Sequence, residues 1–417
     1  MINEALIFAV AGIATAGVLV RPFGWPEAVW AVLGAGALVM LGLIPAAVAW
    51  TGIRKGADVY LFLTGMMLLS ELARREELFD WLAALATEHA RGSPGRLFLL
   101  VYLVGTLVTV FLSNDAAAVV LTPAVYAATQ AARVGNPLPF LLACAFVANA
   151  ASFVLPISNP ANLVIFGGGL MPPLRSWLGI FAIPSLVSIA VTYAALRLRV
   201  HRQLLGQTLA VEIEPCRLSA SGKAAAAGIV LTAIVLLSAS ALGYRLGVPT
   251  LGAGIATAAL VLAIGRKSFM PVLRGISWNV LPLVAGLFVL VEALDRAGLT
   301  ASFAETMHPA ARAPGEFAAV AGAAIAVLTN VVNNLPAGLI AASALHHAHA
   351  PDLVTNSVLI GVDLGPNLSV TGSLATILWL AALRREKQDI GAARFLMIGL
   401  AVMPPALVLS ILALIME

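Results

Sequence analysis

Long apolar runs, interrupted at a few polar spots, make up most of this chain. Runs near residues 5–20, 27–50, 58–73, 138–170, 174–197, 224–243, 248–265, 277–294, 352–380 and 391–416 are each long enough to cross a bilayer, given roughly 20 helical residues per ~30 Å hydrocarbon core. The pattern predicts ten spans. Two other apolar stretches carry a polar centre, residues 96–130 around Ser113-Asn114-Asp115 and residues 314–347 around Asn330 to Pro336. A continuous helix of about 35 residues would be some 50 Å long, so both are predicted to fold back as re-entrant hairpins. Backbone outside a helix is tolerated at that depth only where it is buried in protein or lines a cavity. The 138–170 and 352–380 runs contain Leu155-Pro-Ile-Ser-Asn-Pro160 and Gly365-Pro-Asn-Leu-Ser-Val-Thr-Gly372. Such turn-forming residues inside a span predict broken helices.

The same design occurs twice. Leu61 to Glu71 falls on Pro282 to Glu292 with Gly65 on Gly286, Phe111 to Ala116 falls on Asn330 to Leu335, and Asn149 to Ser152 on Asp363 to Pro366, at offsets of 221, 219 and 214. Paired, polar, Gly/Pro-interrupted segments in corresponding halves mark secondary transporters whose site lies at the repeat interface. The expected fold is an all-α integral membrane protein with two inverted-topology repeats. Each repeat holds about five transmembrane spans, one re-entrant hairpin and one broken helix. The expected division is a first repeat over 1–197, a cytoplasmic linker over 198–223 and a second repeat over 224–417.

Composition agrees, with 61% hydrophobic residues, 11% charged residues and a mean hydropathy of +0.99, far from the soluble range. The net charge of +4 is no nucleic-acid signal, because the basic residues sit in short loops between spans. With the Arg197–Lys223 connection placed in the cytoplasm, 18 basic residues fall inside and 6 outside (Arg54, Lys55, Arg175, Arg245, Arg296 and Arg312). That split follows the positive-inside rule and places both termini outside. The first apolar run lacks a basic leader and a small-residue cleavage site, so no cleavable signal is expected; the protein is expected in the cell (inner) membrane.

The chemistry lies at the interruptions. Asp115 and Asp363 sit in strongly apolar sequence, where an ionisable group is by default a functional candidate. A carboxyl group held from water is cheaper to bury protonated, so both are candidates for proton coupling. Asp115 could instead cap the half-helix Ala116–Ala128, and Asp363 could make a structural hydrogen bond across its break. Ser113, Asn114, Asn149, Ser158, Asn159, Asn162, Asn330, Asn333, Asn334, Asn367, Thr371 and Ser373 cluster at the same breaks and are candidates for substrate binding; some of the amides could serve only the exposed backbone. Amides and hydroxyls both donate and accept, which suits a neutral polyhydroxyl solute or a weakly hydrated cation. No Arg or Lys is available there to neutralise a polyanion.

Phe111-Leu-Ser-Asn-Asp-Ala-Ala-Ala-Val-Val-Leu-Thr-Pro123, Ser158-Asn-Pro-Ala-Asn162 and Gly361-Val-Asp-Leu-Gly-Pro-Asn-Leu-Ser-Val-Thr-Gly-Ser-Leu-Ala-Thr-Ile-Leu-Trp379 resemble the arsenite/antimonite efflux permeases of the ArsB type. These belong to an ion-transporter superfamily that also holds sodium/proton antiporters, dicarboxylate carriers and silicic-acid exporters. The resemblance runs over nearly the whole chain. It implies export of arsenite and antimonite driven by inward proton flow, in some members with a cytoplasmic arsenical-pump ATPase. The Ser-Asn-Thr signature of the dicarboxylate branch is absent, since the two tips read Ser-Asn-Asp and Val-Asn-Asn. A sodium/proton antiporter or a silicic-acid exporter of the same fold is the alternative; a passive channel would need no embedded carboxylate pair, and no zinc-type His-Glu or paired protease motif marks an enzyme.

Trivalent arsenic is thiophilic, yet the chain has only Cys144 and Cys216, too few for a three-thiolate site. No cofactor or metal is expected. Glu71 and Glu292 match across the repeats near span ends, which points to a structural role. His346, His347 and His349 read as a solvated hairpin mouth, and Gly167 to Gly169 as a helix end, because no Lys-Ser/Thr follows.

Overall fold

A computed structural model describes residues 2–166, 171–207, 209–210, 217–299, 302 and 313–416. Gly167 to Gly169, Cys216 and Arg312 lie outside the described residues. All regular structure among the described residues is helical. The first half runs α1 (Ile2–Val20), α2 (Glu27–Met40), α3 (Ala46–Lys55), α4 (Ala57–Arg75), α5 (Leu78–Ala90), α6 (Pro94–Phe111), α7 (Asn114–Ala116), a π turn (Ala117–Leu121), α8 (Thr122–Ala131), α9 (Leu138–Ala150), α10 (Pro160–Ile165) and α11 (Leu174–Leu205). The second half runs α12 (Ala220–Ala241), α13 (Gly247–Gly265), α14 (Met270–Gly275), α15 (Val280–Arg296), α16 (Pro314–Val332), α17 (Asn334–His347), α18 (Asp352–Leu364), α19 (Leu374–Arg385) and α20 (Ala392–Met416).

Seven described helices (α1, α6, α11, α12, α13, α16 and α20) are long and apolar enough to cross a membrane singly, and α3 with α4, bent by 48°, can form an eighth span. The protein is a multi-pass membrane protein. The expected continuous 27–50 span is corrected by the structure. Gly42 turns at φ 68 and Pro45 opens a new helix, so the run divides into α2 and α3. Pro45 has no N–H to extend α2, and the positive φ is cheap only for glycine. The 138–170 and 352–380 runs are broken as expected, and the two polar-centred stretches are helix–break–helix units (α6 with α7–α8, α16 with α17).

The halves are laced through each other. α13 of the second half packs on α4 of the first, and α2 of the first packs on α15 of the second. The matched glycines explain both crossings. A Cβ at Gly65 would stand 2.5 Å from the Thr250 carbonyl oxygen, and one at Gly286 would stand 2.7 Å from the Ala31 carbonyl carbon. Small residues let helix backbones approach closely where no hydrophobic effect separates helix from lipid.

The matched glutamates are both ion-paired, Glu71 with Arg74 and Arg75 of its own helix, the latter at 2.5 Å, and Glu292 with Lys55 of α3 at 2.6 Å. Lys55 and Arg296 both neighbour Glu292, so these two basic residues, assigned to one membrane side by sequence, share one level.

Around the middle, α16 and α18 pack through glycine: a Cβ at Gly361 would stand 2.2 Å from the Gly322 carbonyl oxygen. α11 and α20 pack extensively on each other, α11 also on α9 and α20 on α18.

Candidate functional site

α9 and α18 stop in the middle of the molecule, and the chain resumes as α10 and α19. Asn159 caps α10, its side chain accepting from the Ala161 N–H at 3.0 Å, and Ser373 caps α19, accepting from the Thr376 N–H at 3.1 Å. Helix C-terminal carbonyls and N-terminal N–H groups therefore face a common interior, a ready setting for polar ligands and ions.

The caps reach across to the other half. Asn159 Nδ2 donates to Asp363 Oδ1 at 2.7 Å, and Ser373 Oγ donates to Asn149 Oδ1 at 3.4 Å. Asn149 and Asp363 each occupy the next-to-last position of their helix, so the two contacts are one interaction made twice in opposite directions. Asn149 Nδ2 also donates to Asn367 Oδ1 at 3.0 Å and to Thr376 Oγ1 at 3.4 Å, while Asn367 Nδ2 donates to the Phe146 carbonyl at 3.0 Å. The Trp379 indole N–H donates to the Leu141 carbonyl at 2.9 Å and pins α19 on α9. Asp363 is fully buried, and its second oxygen, Oδ2, has no donor among the described residues.

The first tip is loosely dressed. Ser113 Oγ accepts from the Ala116 N–H at 3.3 Å, and Asn114 Oδ1 accepts from the Asp115 N–H at 2.9 Å. Ser113 is therefore the helix cap, and the alternative that Asp115 caps this half-helix is set aside. The Asp115 side chain is half-buried and free of side-chain partners among the described residues, just ahead of the π turn. A π turn widens the helix and leaves backbone groups outside the usual ladder. Ser158 Oγ donates to the Val110 carbonyl at 3.1 Å and ties this tip to its own half's break.

The second tip is latched. Ser369 Oγ donates to Asn330 Oδ1 at 2.7 Å, Thr371 Oγ1 to the Asn330 carbonyl at 3.1 Å, Asn333 Nδ2 to the Thr371 carbonyl at 3.4 Å, and the Asn334 N–H to the Gly372 carbonyl at 2.9 Å. Asn330 Nδ2 adds a bond to the Gly365 carbonyl at 3.0 Å. Asn333 caps α17 from a backbone at φ 72 and ψ 154, a region that costs a non-glycine residue about 1–3 kcal/mol.

The caps correct the repeat register. With Ser113 before Asn114 and Asn333 before Asn334, Asn114 pairs with Asn334, and Asp115 faces no polar counterpart but Leu335. The expected Asp115–Asn334 correspondence is one residue out, because the sequence match carried no cap.

Of the candidates, Asn149, Asn159, Asp363, Asn367 and Ser373 meet at the crossing; Asn330, Asn333, Asn334 and Thr371 form the latched tip; Ser113, Asn114 and Asp115 form the free tip. Asn162 serves backbone, donating to the Ser152 and Leu155 carbonyls at 2.9 and 3.3 Å. The tips lean on the opposite half, α7 and its π turn on α19, and α17 on α10. Sequence reasoning passed over Ser152, Ser369 and Thr376. Thr376 lies three residues beyond Ser373, the spacing of a helix cap and its first bonded turn. Neither Arg nor Lys occurs from 134 to 174 or from 313 to 383. His347 Nε2 lies 3.5 Å from Asp295 Oδ1 at the end of α17, away from the crossing, and Cys144 is buried in α9.

The citrate transporter family matches residues 7–364. The chain belongs to that family. The chain is 27% identical over 408 residues to the arsenical pump membrane protein of Escherichia coli K12, covering 94% of this chain and 92% of that protein, and 27% identical to the arsenical pump membrane protein of Yersinia enterocolitica at the same coverage. An uncharacterised transporter of Mycobacterium bovis is 25% identical over 402 residues, 91% of each chain. Among solved structures, the YdaH transporter of Alcanivorax borkumensis, described as having an unusual topology, superposes with a TM-score of 0.59 at 16% identity, over 99% of this chain and 98% of that one. The resemblance to arsenite efflux permeases holds over nearly the whole length, and the fold is that of a transporter.

Proposed function

We propose that this protein exports arsenite and antimonite from the cytoplasm in exchange for protons, with the substrate held at mid-membrane by the amides and hydroxyls of the tips and broken helices. The observation that carries the reading is the site's composition: carboxyl, amide and hydroxyl groups, with no Arg or Lys from 134 to 174 or from 313 to 383. Arsenite is mostly an uncharged triol at neutral pH, and Asn and Ser/Thr groups can match its hydroxyls with donors and acceptors. Citrate would bring several negative charges into a low-dielectric interior with no fixed cation to pair them, at a cost of several kcal/mol per unpaired ion. Family membership alone does not set the substrate.

In this reading residues 1–197 and 224–417 are inverted repeats joined by a cytoplasmic linker in the inner membrane. Asp115 at the free tip contacts the substrate, and Asp363 takes part in proton exchange. The bundle of tips and broken helices moves against the α2–α15 and α13–α4 crossings, exposing the site to each side in turn. A cytoplasmic arsenical-pump ATPase is a candidate partner.

The test is trivalent arsenic uptake into everted membrane vesicles under an imposed proton gradient, without ATP. Accumulation that a protonophore abolishes is the expected result. Accumulation that follows a sodium gradient instead supports the antiporter reading, and accumulation only with the ATPase present removes autonomous proton coupling. Competition by citrate but not antimonite would remove the substrate assignment.

A further inference from the structure

The crossing of the broken helices is short of one hydrogen. In the first half, Asn149 completes itself, since its Nδ2 donates to Asn367 and Thr376 and its Oδ1 accepts from Ser373. In the second half the equivalent residue is Asp363, which brings acceptors only. Asn159 fills Oδ1 at 2.7 Å, and Oδ2 is buried without a donor among the described residues. A second acceptor, Asn162 Oδ1, is also buried without a donor one turn further along α10, its amide already bonded to the Ser152 and Leu155 carbonyls. Each such orphan costs about 1–3 kcal/mol, and buried polar groups in native proteins are mostly hydrogen-bonded.

Among the described residues no group donates to Oδ2 in this structure. The Ser152 hydroxyl, near enough to Asp363 to bond it, is turned to the Asn149 carbonyl at 2.7 Å. α18 packs on α9, α10, α16, α17 and α20. Their titratable side chains are Cys144, whose Sγ donates to the Phe140 carbonyl at 3.6 Å, and Glu316, His346, His347 and Arg394 near helix ends, with Asp352 at the start of α18 itself.

We infer that Asp363 is the residue that carries the exchanged proton, on Oδ2, and that Asn159 is its positioning residue, occupying Oδ1 so that Oδ2 is the oxygen left to protonate. Asp115, on the free tip with no counterpart in the other half, does not carry it. The inference deepens the proton-exchange reading above and rests on it. The step is a simple transfer: a proton adds to Oδ2 from one side of the membrane and leaves from Oδ2 to the other, with no other bond made or broken.

Infrared difference spectroscopy of the full chain in proteoliposomes, titrated with acid and base and without arsenite, tests this. The expected result is a protonated-carboxyl carbonyl band at neutral pH that is lost in Asp363→Asn, kept in Asp115→Asn, and moved in frequency in Asn159→Leu. A band that survives Asp363→Asn, or that Asp115→Asn removes, overturns the inference. So does a band that sodium chloride removes at constant pH, which would assign the place to a metal cation. The band is read without transport. A protein that shows it yet moves no arsenite loses the substrate reading and keeps the inference; proton-driven arsenite flux without it does the reverse.

Discussion

The two halves share a backbone plan and differ in how they are armed. At the second tip, Asn330, Asn333 and Asn334 are tied to residues 365–372 by a set of hydrogen bonds, four of them from 2.7 to 3.1 Å. At the first tip, the Asn114 side chain bonds its neighbour's N–H, and the Asp115 side chain has no side-chain partner among the described residues. At the crossing the difference runs the other way, with a self-satisfied amide in the first half and a carboxyl lacking a donor in the second. Pseudo-symmetry provides two equivalent positions, and substitution at one of each pair separates their tasks. On the proposed reading, the free tip serves the substrate and the crossing the proton.

The largest effect is expected from Asp363→Asn, which replaces Oδ2 by an amide nitrogen and so fixes the position in a form like the protonated carboxyl. Gradient-driven accumulation in everted vesicles should fall to the level seen with protonophore, while arsenite still equilibrates down its own gradient. Exchanging the pair, Asn149→Asp with Asp363→Asn, sharpens the comparison. The carboxyl then faces the Ser373 hydroxyl, now 3.4 Å from Asn149 Oδ1, in place of the Asn159 amide, and coupling should stay below wild type; full recovery would show that the halves are interchangeable.

Asp115→Asn should weaken arsenite half-saturation by about ten- to a hundredfold, the loss of one charge-assisted hydrogen bond of ~1.5–3 kcal/mol, and leave the dependence on the proton gradient intact. Transport kinetics against arsenite concentration check this. At the latched tip, Thr371→Val removes the bond to the Asn330 carbonyl and should lower local stability by about 1 kcal/mol, seen as faster amide exchange over 333–338. The smallest net change is expected for Asn333→Gly. It relieves the strained φ of 72 but loses the cap and the Thr371 contact, whereas Asn333→Ala keeps the strain and should be the less stable of the two in thermal melts.

Much of this was legible from the chain. The interrupted apolar runs located both broken helices, because Pro lacks the N–H that a continuous helix needs and Gly loosens the backbone beside it. The Gly65–Gly286 match located the two crossings, though not their partners, since Thr250 and Ala31 meet the glycines through backbone atoms that carry no residue signature. The break at Gly42 to Pro45 was hidden by apolar residues on both sides. Reciprocity at the crossing was out of reach: Asn159 and Ser373 differ in type, and only as caps of α10 and α19 do they become the same position. The Asp115 register failed for a related reason, because the helix start is set by Ser113 and Asn333, two different side chains doing one job.

The most direct measurement is simultaneous proton and arsenite flux in proteoliposomes containing wild type, Asp363→Asn or Asp115→Asn. Opposed, stoichiometric fluxes are expected in wild type, arsenite movement without proton movement in Asp363→Asn, and slower fluxes that remain coupled in Asp115→Asn. Coupled proton flux that persists in Asp363→Asn would contradict the assignment of the proton to the crossing.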